Sequence, residues 1–493
     1  MGCDPHRLIE ANHVVTIYRS EPTNSNGGRD VSKSLLAHEA RLLFYPGLRL
    51  SAYASTSSTT QHALIQPQSA PKEPPLAVLP TKTLLYSVLF TSIMSSPLLK
   101  PCLGLLKYVI ESESSWLHPS KNPTMKYLLR TTIYNHFCAG ENEREVRQSV
   151  KYMKGLGFKG VILGYARESI AKVEDIDPYV ACETTKHEVL DRAVDEWKEG
   201  NLRTLRMIEK GDYLGIKFTG AGPAAVEALT RGDTTPPPRI QQAIKEICAE
   251  TAAQGSRLWI DAEQQIFQPA IDSWTIDLMR EFNRHGTVVV FNTIQAYLKT
   301  SSENVSRHLR LAQKEGWTLG IKLVRGAYIA HDYRTRIHDS KSDTDNNYNH
   351  IAQSLLTRQF PVGESPPLRV WPDVRLFVAS HNAESVRKAY SISRYRVQNG
   401  LPTIPVELGQ LQGMADEVSC ELLAHNSAED VATEQGQGKY DAVPGVFKCL
   451  AWGSVEECLH FLLRRAVENQ SAMERTRHTA VALRKEAWRR FRW

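Results

Sequence analysis

Short stretches of this chain bring together residue types that could do chemistry. KLVRGAY (322–328) sets Lys322 and Arg325 beside a Gly-Ala pair. Small residues let backbone N–H groups approach a phosphate or a flat ring, and the cations balance its charge. IDAE (260–263) ends an apolar run on the carboxylate of Asp261, next to the small Ala262. FVASHN (377–382) offers the hydroxyl of Ser380, the imidazole of His381 and an amide together. LLRRAVEN (462–469) puts Arg464 and Glu468 at i,i+4 and Arg465 and Glu468 at i,i+3, so all three share roughly one helix face. Two guanidiniums presented together suit a carboxylate, which they can grip bidentately. Taken singly, each stretch has a plainer account as a surface ion pair or a strand cap. GAGPAA (220–225) matches the GxGxxA turn of dinucleotide-binding folds, but Pro223 sits in the turn and RGDTTPPPR (231–239) follows in place of a second strand–helix unit.

These residues need elements to position them. From about 125 the chain alternates short apolar runs with longer amphipathic ones. Strands are expected at 127–137, 159–166, 213–220, 257–263, 287–294, 318–326, 374–381 and 403–409, most of them continuously apolar and β-branched, as strands covered on both faces should be. Between them, 141–157 places Val146, Val150 and Met153 at i, i+4, i+7, and 301–316 opens on a Ser/Glu capping pattern and stops at Gly316. This pattern predicts an α/β fold, a (β/α)8 TIM-like barrel, with a doubly wound open sheet as the alternative. Lys217, Asp261, Gln295, Lys322, Arg325, His381 and Gln410 all fall at or just beyond the C-terminal ends of these strands. A barrel brings such ends to one rim, which favours it over the open sheet.

Outside the barrel the reading is coarser. Residues 1–80 lack sustained periodicity, and the stretch from Ala40 to Ala70 is rich in Ser and Thr and free of acids. They are expected to form a disordered extension or a mitochondrial targeting segment. Residues 81–124 read as a helical arm, in which the apolar run 84–94 is too short to cross ~30 Å of hydrocarbon. The barrel is expected over 125–470, and 471–493 as a basic helix, either solvated or laid on an anionic membrane. The 493 residues carry 60 Lys+Arg against 54 Asp+Glu, an excess too small to argue for nucleic acid. Eight cysteines without a CxxC indicate neither a zinc ribbon nor a disulfide framework, so no metal is expected and the thiols read as reduced.

KLVRGAY, FNTIQAYLK (291–299), ASHN, ELGQLQGMAD (407–416) and the RRAVEN helix occur here in one order, and with them the chain resembles the proline dehydrogenase family over about residues 125–470. That family comprises flavin-dependent (β/α)8 enzymes that oxidise L-proline to 1-pyrroline-5-carboxylate, and the likeness is to its eukaryotic, fungal-like, monofunctional mitochondrial form. The resemblance implies FAD as cofactor, a quinone as electron acceptor and contact with the inner mitochondrial membrane. It implies that Lys217, Arg464 and Arg465, with Glu468 beside them, hold the substrate carboxylate. Asp261 and Lys322 would be catalytic, while Ala262, Gln295, Val324, Arg325, Gly326, Ala327, Tyr328, Ser380 and His381 would line FAD. Thr344 would touch the adenylate, and Glu168 would close an ion-pair gate with Arg464. Cys449 stands where proline-specific members carry a Tyr against the substrate ring and hydroxyproline-preferring members a smaller residue. A hydroxyproline dehydrogenase therefore stays open as an alternative, as does a catalytically silent flavin-binding paralogue. On the bland account, Trp452 fills the space beside Cys449.

Overall fold

The computed structural model describes residues 74–112, 114–166, 183–329, 332–433, 443–468 and 473–492. Most of the amino-terminal extension and Glu168 lie outside them, as does the side chain of Glu468. Eight parallel strands form a closed barrel in sequence order: β1 (Gly160–Tyr165), β2 (Tyr213–Ile216), β3 (Arg257–Ile260), β4 (Val290–Gln295), β5 (Leu319–Val324), β6 (Val374–Ala379), β7 (Val406–Leu411) and β8 (Gly445–Trp452). β8 returns to β1, pairing from Gly160↔Phe447 to Tyr165↔Trp452, so no sheet edge is left open.

The expected barrel is present, but its strands are not all the expected ones. Residues 127–137 do not form a strand. They run through a helix at Pro123–Leu129, a π-turn segment at Arg130–Tyr134 and a last short helical piece at Asn135–Phe137. The Asn122 side chain accepts the N–H groups of Thr124 and Met125 while Pro123 occupies the first turn, a start signal that outweighs the β-branched Thr131, Thr132 and Ile133. The missing eighth strand is Gly445–Trp452, whose apolar run is interrupted by Lys448. That lysine is 2% exposed and donates to Asp416 Oδ1 (2.8 Å), Ser419 Oγ (2.9 Å) and the Met414 carbonyl (3.2 Å). Burial pushes the Asp416 carboxyl up, but the Lys448 ammonium outweighs it and holds the group below its ordinary range. A strand fully buried on both sides can thus carry a lysine, provided that the lysine is paired. The helix Ser301–Glu315 begins at Thr300 without a side-chain cap and ends, as expected, at Gly316 in the left-handed region.

The barrel interior is layered. At its N-terminal end Arg257 pairs with Glu407 (2.7 Å), and the Tyr213 hydroxyl donates to the same carboxylate. Above lies a plug of Tyr213, Trp259, Phe291, Phe377 and Phe447 with Ile162. A Cβ at Gly320 would stand 2.5 Å from the Val290 carbonyl and one at Gly409 2.6 Å from the Phe377 ring, so these inward positions have to be glycine for the rings to fit. This plug shuts the barrel from below and separates the Arg257–Glu407 pair from the polar groups at the C-terminal rim.

Before the barrel, helices Thr81–Met94 and Leu99–Glu111 wrap its outside, and the final helix Met473–Phe491 packs back on the first of them. Ala480, Leu483 and Ala487 of that final helix are buried with Leu79 and Leu84. Arg490 donates to the carbonyls of Leu76 and Leu79 (2.9 and 2.8 Å). One apolar side of the basic tail is therefore spent on the arm, while Val481, Trp488 and Phe491 of the same helix stay exposed.

Lys448→Met leaves the buried Asp416 carboxylate without its cation, with the Ser87 hydroxyl still donating to it. Its expected cost is about 3–5 kcal/mol of unfolding free energy in urea, with Lys448→Met/Asp416→Leu recovering most of it.

Candidate active site

Each rim group is delivered by the element beneath it. Asp261 follows β3, and its N–H donates to the Ile216 carbonyl of β2 (2.8 Å), which carries the ladder one residue further and sets Asp261 beside Lys217. Lys322 is the fourth residue of β5 and points inward. Its ammonium donates to Asp261 Oδ1 (2.5 Å) and stands 3.8 Å from the Trp259 ring centroid. The Lys217 ammonium lies 3.9 Å from Asp261 Oδ2 and donates to the Tyr328 hydroxyl (3.3 Å). Burial pushes the Asp261 carboxyl up. Lys322, Lys217 and Arg465 pull it down more strongly, so it ends below its ordinary 3.8 and is ionised at neutral pH.

These groups share one cavity of about 540 Å³, a size typical of small-molecule and cofactor sites. All seven polar residues expected at strand ends line it. Ala262, Val324, Gly326, Ala327, Tyr328, Ser380 and Arg465 line it as well. Arg464 and Thr344 are not among its lining residues. Successive residues of a helix point about 100° apart, so the helix Val455–Glu468 sends Arg465 inward and Arg464 elsewhere. Thr344 sits in the first turn of the helix Lys341–Leu356, its hydroxyl donating to the Ser340 carbonyl (3.3 Å).

On the β5–β6 side Arg325 is fixed by three partners: Asp345 (2.6 Å), Ser380 (2.7 Å) and Ser385 (2.8 Å). It also stacks over the Tyr348 ring at 4.4 Å. These bonds use three of the five guanidinium N–H donors. Gly326 follows with φ 133°, and a Cβ there would fall 2.2 Å from the Tyr297 ring, so the backbone itself forms the wall. Gln295 donates to the Glu263 carbonyl (3.1 Å), and His381 Nε2 accepts the Leu411 N–H (3.1 Å).

Several lining residues escaped the sequence reading. Trp259 and Thr293 lie two positions before Asp261 and Gln295, on the same strand faces, and Phe461 lies one turn before Arg465. The period-two and period-four spacings could have found them. Cys449 also faces the cavity, and burial pushes its thiol up to about 11, so it is protonated. Trp452 does not line the cavity. It stacks on Tyr165 at 4.6 Å and donates to Thr204 (3.1 Å), so it does not fill the space beside Cys449. The GAGPAA segment is absorbed by packing, for Gly222 adopts φ 95° and a Cβ there would meet Ala193 at 2.9 Å. Among the described residues no cluster of His, Cys, Asp and Glu could hold a metal ion.

Fold and site together define a (β/α)8 barrel with a cation-rich cavity at its C-terminal rim. Residues 146–478 match the family profile described as proline dehydrogenase, and the chain belongs to that family. It is 25% identical over 438 residues to a probable mitochondrial proline dehydrogenase of Schizosaccharomyces pombe, covering 80% of this chain and 85% of that protein. It is 29% identical over 416 residues to the hydroxyproline dehydrogenase of Rattus norvegicus, covering 74% and 82%. The fold resembles the crystal structure of proline utilization A from Bdellovibrio bacteriovorus inactivated by N-propargylglycine, with TM-score 0.54 and 16% identity. That match covers 79% of this chain and 37% of the bacterial one.

Asp261→Asn leaves Lys322 and Lys217 facing each other without a counter-charge. Because the native carboxyl titrates below its unfolded value, its contribution is complete above about pH 4 and disappears as pH falls through the native value. Urea unfolding should show a loss of about 1–3 kcal/mol at pH 7 that narrows steadily towards pH 3.

Proposed function

We propose that this protein is a mitochondrial FAD-dependent dehydrogenase that oxidises L-proline to 1-pyrroline-5-carboxylate and passes the electrons to a quinone. One observation carries the reading: Lys217, Lys322 and Arg465, from three separate elements, act together on Asp261 within one cavity. Mitochondrial residence is supported by the name of the fission-yeast relative.

The donor set fits a flavin. Lys322 and Arg325 supply positive charge, Gln295 a side-chain amide, and Gly326 a stretch of wall without a side chain. Lys322, Gln295, Val324 and Ala262 would hold the ring system, with Gly326, Ala327 and Tyr328 beside it. Arg325, Ser380 and His381 would take the phosphate side, and Thr344 the adenylate. When bound, the cofactor accepts a hydride and so carries the redox step.

The chain's own residues bind and orient the substrate. Lys217 and Arg465 grip the carboxylate of the amino acid, fixing which ring carbon faces the cofactor. Such positioning is worth ~7–11 kcal/mol of a barrier when the geometry is right. Oxidation removes a hydride from C5 and a proton from the ring nitrogen, leaving a C=N bond. Asp261 Oδ2, the oxygen not bonded to Lys322, is the acceptor for that N–H. Lys322 balances the negative charge that arrives with the electrons.

Cys449 supports a second reading, in which hydroxyproline is the better substrate: its small side chain leaves room beside the ring that Trp452 does not take. The rat hydroxyproline dehydrogenase matches at 29% identity over 416 residues, beside 25% over 438 for the fission-yeast protein.

An absorbance spectrum of the purified protein should show a flavin band that bleaches on anaerobic addition of proline. A flavin band unmoved by proline and by hydroxyproline alike would leave a silent paralogue. Arg465→Met should raise KM for proline by about tenfold or more without changing flavin content, and by more than Arg464→Met does. Cys449→Tyr should raise the proline-to-hydroxyproline ratio of kcat/KM by about tenfold, and an unchanged ratio removes Cys449 from the specificity wall.

A further inference from the structure

We propose that the cavity floor holds a recess for a hydroxyl on the substrate ring, and that the indole N–H of Trp259 recognises it. Ala451, Gly164, Gly215 and Trp259 form one row across neighbouring strands, each registered against the next. All four line the cavity. Inward residues of such a row stand side by side, about 5 Å apart. Three of them have almost no side chain, and the last has the largest. The indole occupies the place over Gly215, where a Cβ would come within 2.9 Å of Trp259 Nε1. Its N–H corner is therefore the part that reaches across β2 towards β1. At Gly164 a Cβ would meet no atom within 4 Å, so the next place in the row is open.

Among the described residues nothing accepts this N–H, although Trp259 is only 3% exposed. The indoles of Trp197, Trp274, Trp317 and Trp452, by contrast, each have an acceptor within 3.1 Å. Trp371, also without one, lies away from the cavity. A buried donor left unmatched is costly, so a donor at a cavity wall is a place for a ligand's acceptor. Position ties that ligand to the substrate. Two residues beyond Gly215 stands Lys217, and two beyond Trp259 stands Asp261, while Cys449 lies two before Ala451. With its carboxylate held by Lys217 and Arg465, an amino acid has its ring as the part that can enter the row beneath. An unsubstituted ring brings no acceptor there, whereas a hydroxyl oxygen accepts from Nε1. Cys449 makes room, and Trp259 supplies the bond. The inference rests on the amino-acid oxidation proposed above and adds the ring hydroxyl as the group that the floor recognises.

The test compares kcat/KM for proline and 4-hydroxyproline in the full-length wild type, Trp259→Phe and Gly164→Ala. Phenylalanine keeps an aromatic ring beneath the Lys322 ammonium but has no N–H. Trp259→Phe should lower kcat/KM for hydroxyproline by about tenfold and leave that for proline within about twofold. Gly164→Ala fills the recess without touching a neighbour, and should likewise lower hydroxyproline by about tenfold and spare proline. Equal losses on both substrates in Trp259→Phe would mean that the indole only packs the plug, and they overturn the proposal. An unchanged hydroxyproline value in either variant does the same. A wild type whose flavin is bleached by proline but not by hydroxyproline overturns the recess and leaves proline oxidation standing. Bleaching by neither amino acid overturns both.

Discussion

Asp261 sits between the ammonium groups of Lys322 and Lys217, and the rest of the rim is arranged around that charge balance. A carboxylate taken out of water is costly unless cations are supplied, and two lysines brought together repel unless a carboxylate separates them. Each group therefore makes the others tolerable. The net result is a cavity floor with an excess of positive charge, increased by Arg465, which is the environment that an amino-acid carboxylate and an electron-rich ring both require.

Such a balance needs positions that do not move, and the closed sheet provides them. Lys217 and Asp261 directly follow β2 and β3, and Lys322 lies within β5, three strands whose registers are locked by pairing with neighbours on both sides. The aromatic plug below excludes water from the barrel axis, so the charges interact across a medium less polar than solvent. Closure itself depends on β8, and β8 depends on the buried Lys448–Asp416 pair outside the barrel. Ser87 of the arm donates to the second oxygen of Asp416, which ties the outer helices to the strand that shuts the ring. The small Cys449 is carried on that same strand, one residue on and facing the other way.

Much of this was legible in the chain because it is local. Continuous apolar β-branched runs marked seven of the eight strands, and polar residues at their ends marked the rim, since a strand's inward face is set by a period of two. The errors were local too. At 127–137 β-branched residues suggested a strand, and the Asn122–Pro123 helix start decided otherwise. At 445–452 a lysine disguised a strand, because nothing near it in sequence reveals that Asp416 waits 32 residues away.

The sequence alone determined the alternation of elements, the barrel and the identity of the charged residues at its rim, for these follow from periodicities spanning a few residues. Only the tertiary structure decided which of the two adjacent arginines enters the cavity, since that depends on the rotation of one helix about its own axis. It also decided where Trp452 turns. The outward face of the arm was equally invisible beforehand: Leu85 and Leu89, both exposed, read as core until the neighbouring helices show that the core lies on the other side.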